Sequence, residues 1–126
     1  MFDLIKSLLY YQTMDAFTAL AEPTRRNIME MLATSGSLSA TDIYKNFKAS
    51  APAISQHLKV LKTANLVRVE KRAQKRIYYV NPEPMRELEK WVHQFAAKIE
   101  DQYQALDRLL EREKLRLSAA EKKEKD

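Results

Sequence analysis

The hydrophobic periodicity of the chain changes at Asn65, and this change fixes the order of secondary structure around it. In the preceding segment APAISQHLKVLKTA, three apolar residues share one side of a helix, namely Ile54, Leu58 and Leu61. Three other residues lie roughly opposite, namely Pro52, Gln56 and Lys59. After Asn65, residues 66–70 alternate between apolar and polar, and residues 77–80 are β-branched or aromatic. The sequence therefore predicts a helix over 51–64 with one packed side, followed directly by a β-hairpin.

The tip of this hairpin, residues 71–76, contains four basic residues and no acidic one. The wider segment Thr41 to Arg76 carries nine Lys and Arg against two Asp and Glu, a net charge of +7. The rest of the chain has 13 against 15, a net charge of −2. Because the positive charge is concentrated in one segment, we expect that segment to bind a polyanion.

Helices are also predicted before this segment. Residues 1–20 have helical spacing of apolar residues and are expected to form two short helices. Pro23 begins another helix, since the missing N–H of proline costs nothing in a first turn, and Gly36 suits the residue that ends it. Ser39 and Asp42 have the spacing of a capping box, which predicts a short helix over 40–47.

A long amphipathic helix is predicted from Glu83 onward. Its apolar residues follow one another at steps of three or four, namely Leu88, Trp91, Phe95, Ile99, Tyr103, Leu106 and Leu110. Some 30 residues make about 45 Å of helix, which is longer than so small a domain can cover, so part of the stripe is expected to need a partner. Residues 118–126 are highly charged, and we expect a flexible tail there.

The composition excludes several classes of site. Cys is absent, which excludes disulfides, zinc–thiolate sites and thiol nucleophiles. The apolar N-terminal stretch is interrupted by Asp3 and Lys6 and does not resemble a secretory leader, and no apolar run approaches the roughly 20 residues that span a bilayer. The sequence therefore predicts a cytoplasmic protein that does not enter a membrane.

Two short helices followed at once by a basic hairpin are typical of a winged helix-turn-helix, in which the second helix enters the major groove of DNA. The strings FTALAEPTRRNIMEML, SATDIYKNF and SAPAISQHLKVLKTANLVRVEK, with RIYYVN closing the hairpin, resemble the ArsR/SmtB family of bacterial repressors. The resemblance covers roughly Asp15 to Asn81, and ISQHLKVL is its most specific part. The family pattern usually has Asp at the position of Glu22, Gln at Ala51 and Gly in the hairpin tip, so the operator cannot be transferred from relatives.

The resemblance implies a mainly α-helical fold with a small β-hairpin, a winged helix-turn-helix with long N- and C-terminal dimerisation helices. We expect one domain over 1–117, with a DNA-binding core at 13–82 and dimerisation helices at 1–12 and 83–117. The resemblance also implies a homodimeric repressor on a palindromic operator in double-stranded DNA, with an unknown inducer. The expected dimer interface comprises Ile5, Leu8, Leu9, Trp91, Phe95, Ile99, Tyr103, Leu106 and Leu110.

Side-chain chemistry predicts the contacts to DNA. Gln56 can pair bidentately with adenine, Ser55 can bond a base edge or a phosphate, and Ala53 can touch a thymine methyl group. Basic residues are expected to meet phosphates, with an Arg of the hairpin reaching into the minor groove. The whole predicted DNA-binding set is Lys48, Ser50, Ala53, Ser55, Gln56, Lys59, Arg72, Lys75 and Arg76.

Two other functions stay open. A protein-interaction module would dock a partner through the aromatic residues of the long helix. A metal-responsive repressor would use His93 and acidic neighbours, but one His with Glu89 and Glu100 is a poor ligand set, so we predict neither metal nor cofactor. His57 is expected to pack or to make a local hydrogen bond. Because residues two apart on a helix do not face each other, Ser55 and His57 cannot form a nucleophile pair, and no enzyme is predicted.

Overall fold

The computed structural model describes the backbone of residues 2–125 and the side chains of residues 3–6 and 15–124. The elements follow in the order α1 (Phe2–Leu20), α2 (Pro23–Ser35), β1 (Leu38–Ser39), α3 (Ala40–Lys45), α4 (Ala51–Thr63), β2 (Val67–Arg72), β3 (Lys75–Val80) and α5 (Pro82–Lys125). The fold is mainly α-helical with a small antiparallel sheet, a winged helix-turn-helix with a long C-terminal helix, as the sequence predicts. The chain divides into two compact units, residues 1–89 and residues 90–126.

The core of the first unit is built mainly by α2, α3 and α4. Its largest fully buried side chains are Ile28, Leu32, Ile43, Ile54, Leu58, Leu61 and Leu66. Each such aliphatic side chain stabilises the fold by about 1.5–3 kcal/mol on burial. The predicted packed side of α4 is thus confirmed, and burial of this side leaves the other side of the helix exposed.

The ends of the short helices are fixed by local hydrogen bonds. Ser39 Oγ accepts the backbone N–H of Asp42 at 3.1 Å and begins α3, while Ser50 Oγ accepts the N–H of Ala53 at 3.3 Å and begins α4. Gly36 has φ +84° and its N–H donates to the carbonyl of Leu32, so the predicted end of α2 at this glycine is confirmed. These caps set where the helix-turn-helix starts and stops.

The sheet has the order β1-β3-β2 and contains more strand than the sequence predicts. The segment predicted as the hairpin tip, residues 71–76, is mostly paired, because the ladder continues to the Lys71–Arg76 and Arg72–Lys75 pairs. The turn itself is only Ala73 and Gln74, and Ala73 adopts φ +56°. Two residues suffice to connect antiparallel strands, which explains the longer ladder.

Other boundaries also differ from the predictions. The two short helices expected over residues 1–20 are one helix, α1, and α3 ends at Lys45 rather than at residue 47. The boundary expected at residue 117 does not coincide with a helix end, because α5 continues to Lys125. The segment after 117 is rich in Ala, Glu and Lys, which favour helix.

The second unit, from Lys90 onward, consists of the remainder of α5. Its described side chains are exposed, including six that were predicted for the dimer interface: Trp91, Phe95, Ile99, Tyr103, Leu106 and Leu110. The rings of Trp91 and Phe95 stack with centroids 5.2 Å apart. Within residues 2–125, no helix is both long and apolar enough to cross a membrane.

Candidate nucleic-acid interface

Helix α4 presents a polar side to solvent. Ala53, Ser55, Gln56 and Lys59 are all exposed, while the other side of the helix is anchored in the core. The start of α4 is fixed by the Ser50 cap, so the backbone of this turn is held in place. The predicted base-contacting residues therefore lie on a capped helix with their side chains exposed to solvent, where they can reach the edges of bases.

A groove of about 420 Å³ runs between α4 and the hairpin. It is lined by Ser55, Gln56, Leu58, Lys59, Lys62, Val69, Lys71, Arg76 and Tyr78. Four of these side chains are basic, and none is acidic. The structure thus brings together four predicted site residues, Ser55, Gln56, Lys59 and Arg76, in one positively charged groove.

Two basic residues of this groove, Lys62 and Lys71, were not predicted from the sequence. Lys62 follows Lys59 by three residues on α4, and Lys71 is paired with Arg76 in the ladder. The helical spacing could have indicated Lys62, since residues three apart are neighbours on a helix. Lys71 could be found only from the register of the hairpin.

Two other predicted residues, Arg72 and Lys75, lie on the hairpin but do not line the groove. Successive side chains along a strand point to opposite faces, so the Arg72–Lys75 pair lies on the other face from the Lys71–Arg76 pair. Arg72 and Lys75 adjoin the turn of the hairpin. Lys48 is exposed in the connection before α4.

On this other face of the hairpin, the Glu70 carboxylate accepts hydrogen bonds from two neighbouring side chains. One carboxylate oxygen accepts a hydrogen bond from the Tyr79 hydroxyl at 3.0 Å, and the other accepts one from the Arg72 guanidinium at 3.1 Å. The hydrogen bond to Glu70, together with desolvation, raises the pKa of Tyr79 above its ordinary value. Arg72 is therefore held by an exposed ion pair, a kind of contact that contributes little to stability.

His57, on α4, contacts α2. Its Nδ1 lies 3.2 Å from Nη1 of Arg25 and 3.8 Å from a carboxylate oxygen of Glu22. His57 therefore makes a hydrogen bond, but with a residue 32 positions away in the chain rather than with a local partner. Desolvation acts to raise the pKa of Glu22. The backbone N–H of Arg25, the nearby His57 and contacts with Thr24 outweigh it, so the pKa is lowered from 4.5.

Within residues 2–125, no group of three or more His, Cys, Asp or Glu side chains is placed so that it could hold a metal ion. His93 is exposed on α5. The described side chains thus offer no favourable donor set for a transition metal.

Comparison with known proteins identifies the family. Residues 22–69 match the family described as "Bacterial regulatory protein, arsR family". The chain is 46% identical to the HTH-type transcriptional regulator Rv2034 of Mycobacterium tuberculosis over 53% of this chain and 62% of that protein, so the match spans less than two thirds of that relative. It is 33% identical to the transcriptional repressor SdpR of Bacillus subtilis over 67% of this chain and 92% of SdpR.

A solved structure supports the same assignment. The crystal structure of the ArsR family transcriptional regulator RHA00566 aligns with a TM-score of 0.65 and 27% identity, covering 71% of this chain and 92% of that one. The resemblance to ArsR/SmtB proteins is thus confirmed at the level of sequence and fold. The chain belongs to the arsR family of bacterial regulatory proteins and is a helix-turn-helix transcriptional regulator of that family.

Proposed function

We propose that the protein is a homodimeric repressor that binds a palindromic operator in double-stranded DNA. The observation that carries this proposal is the groove between α4 and the hairpin, where four basic side chains flank the exposed side of α4. Basic residues supply the sequence-independent attraction to phosphates, and exposed polar residues on a helix supply contacts to base edges. Both kinds of group occur side by side here.

In this proposal, α4 enters the major groove. Gln56 pairs with an adenine through its amide, and Ser55 bonds a base edge or a phosphate. Lys59, Lys62 and Arg76 contact phosphates along the flank of the helix. Lys71 contacts the same strand from the hairpin. Arg72 and Lys75, on the other face near the turn, reach the adjacent minor groove or its phosphates.

The proposed dimer is supported by the exposed apolar side chains of the second unit. Trp91, Phe95 and Leu110 are each about half exposed, which is a large apolar area to leave in water on one helix. Ile5 on α1 is also about half exposed and was predicted for the same interface. Leu8 and Leu9, predicted with it, lie outside the described side chains. A second copy of the chain would cover these residues and place two α4 helices on one operator.

We infer that DNA binding and dimerisation are carried out by the segments of the chain that the sequence predicts. The DNA-binding core spans 13–82. Dimerisation uses residues 1–12, which belong to α1, and residues 83–117 of α5, and the charged end from 118 onward takes no part in either. We further propose that the protein is not an enzyme and that it acts in the cytoplasm. The regulatory names of its relatives support this view, and one of them, SdpR, is named a repressor.

The proposal is tested by selecting bound duplexes from a random DNA pool. We expect enrichment of an inverted repeat whose half-sites lie about one helical turn apart. A variant with Gln56→Ala, Lys59→Ala and Arg76→Ala should enrich nothing, whereas a control with Lys122→Ala and Lys123→Ala should enrich the same repeat. Absence of any enriched sequence with the wild-type protein would contradict the proposal and favour a protein-interaction module.

A further inference from the structure

Three helices of the first unit meet at the guanidinium group of Arg25. Its Nε donates to the carbonyl of Ala19 at 2.6 Å, and its Nη2 lies 3.4 Å from the carbonyl of Thr18, both in the last turn of α1. Its Nη1 lies 3.2 Å from Nδ1 of His57 on α4. One side chain of α2 thus joins the end of α1 to the middle of the proposed recognition helix.

The hydrogen bonds of the Arg25 guanidinium are directional. Arg25 has only donors, so the hydrogen bond with His57 requires Nδ1 to act as the acceptor. The carbonyls of Ala19 and Thr18 carry the partial negative charge of a helix C-terminus, which suits a guanidinium. A carboxylate oxygen of Glu22 lies 3.8 Å from the same Nδ1 and accepts a hydrogen bond from the backbone N–H of Arg25 at 3.0 Å. The side chain of His57 is only 25% exposed, so water competes weakly for this contact.

Helix α4 also contacts the core through apolar side chains, and these contacts are less directional than a hydrogen bond. Ile54, Leu58 and Leu61 bury their side chains, but hydrophobic burial alone depends little on a small rotation of the helix. Side chains reach about 5–6 Å from a helix axis, so a rotation of about 10° moves the end of Gln56 by roughly 1 Å. That displacement is large for a bidentate contact, since productive geometry is held within about 0.5 Å.

We infer that Arg25 and His57 are positioning residues for operator recognition. Their hydrogen bond fixes the rotation of α4 about its axis, and thereby the placement of Gln56, which follows Ser55 and precedes His57 on that helix. Neither Arg25 nor His57 contacts DNA in this arrangement. The inference rests on the proposed function, because it assigns a role in operator binding.

The test compares the affinity for the selected operator with the affinity for an unrelated duplex, measured on the same preparation of each variant. The ratio of the two affinities does not depend on the fraction of folded protein. We expect His57→Ala to lower this ratio about tenfold, as the loss of one hydrogen bond to a charged group would. His57→Asn, whose amide oxygen takes the place of Nδ1, should retain most of the ratio.

Arg25→Lys provides a second test that does not alter α4. Lysine keeps the positive charge but lacks the planar guanidinium group with its several N–H donors. The ratio of operator affinity to unrelated-duplex affinity should therefore again fall about tenfold. The double variant Arg25→Lys with His57→Ala should fall no further than either single variant, since both remove one contact. An unchanged ratio in His57→Ala and Arg25→Lys, or additive losses in the double variant, would overturn the inference. Failure of the wild-type protein to select any operator would instead contradict the proposed function, so the two failures are distinguishable.

Discussion

Removal of two lysines from the groove should change the salt dependence of DNA binding without changing the fold. Lys62 and Lys71 are both exposed and line the groove from opposite sides, one on α4 and one on β2. Exposed surface substitutions usually change stability by no more than about 0.5 kcal/mol. The double variant Lys62→Ala with Lys71→Ala therefore isolates the contribution of these charges to phosphate binding.

The size of the effect follows from counterion release. Each phosphate contact contributes about −0.9 to the slope of log affinity against log salt concentration. Loss of two contacts in each protomer should reduce the slope by about 1.8 per protomer and about 3.6 for a dimer. When salt is raised from 50 to 200 mM, both proteins lose affinity for DNA, and the factor lost should be about 100-fold smaller for the variant than for the wild type.

The assay is fluorescence anisotropy of a labelled operator duplex at several salt concentrations. The matched control is Lys122→Ala with Lys123→Ala, which removes the same charge from exposed positions that do not line the groove. We expect the control to retain nearly the wild-type slope. A wild-type slope in the Lys62 and Lys71 variant, or an equal reduction in the control, would refute the assignment of phosphate contacts to this groove.

Three smaller effects concern the scaffold and can be measured by chemical denaturation. Ser39→Ala should destabilise the protein by about 1 kcal/mol through loss of the α3 cap. Ser37→Ala, at an exposed position, should have little effect, and equal losses of stability in the two variants would contradict the capping role. Ala73→Gly should stabilise it by about 0.5–1 kcal/mol, because φ +56° is unfavourable for Ala; a loss of stability would show that the turn is unstrained. The lowered pKa of Glu22 means that its ionised form stabilises the fold above the unfolded pKa and loses this effect as pH falls through the folded pKa. The difference in unfolding free energy between wild type and Glu22→Gln should therefore shrink below about pH 4.5, and a difference constant down to pH 3 would contradict this account.

Strong local patterns were sufficient to predict the recognition helix and its surroundings. The spacing of Ile54, Leu58 and Leu61 predicts both the presence of α4 and its buried side, and the structure confirms both. Caps at Ser39 and Gly36 were also predicted, because each depends on one or two neighbouring residues. Local sequence therefore determined most of the helix-turn-helix.

Features that depend on long-range pairing were not predictable in the same way. Strand β1 has two residues and exists only because Leu38 and Ser39 pair with β3, nearly 40 residues later in the chain. The contribution of Lys71 to the groove follows from the register of the hairpin and its packing beside α4. The contact of Arg25 with His57 joins residues 32 positions apart, and no local pattern indicates it. Each of these features appears only when distant segments are brought together.

We propose that two copies of the chain bind two halves of one palindromic site. The most direct test is to insert about five base pairs between the half-sites of the selected operator, which turns one half-site by about half a helical turn. We expect the affinity to fall to that of an isolated half-site, and an insertion of about ten base pairs to restore part of it. Affinity that is unaffected by the five-base-pair insertion would contradict the claim.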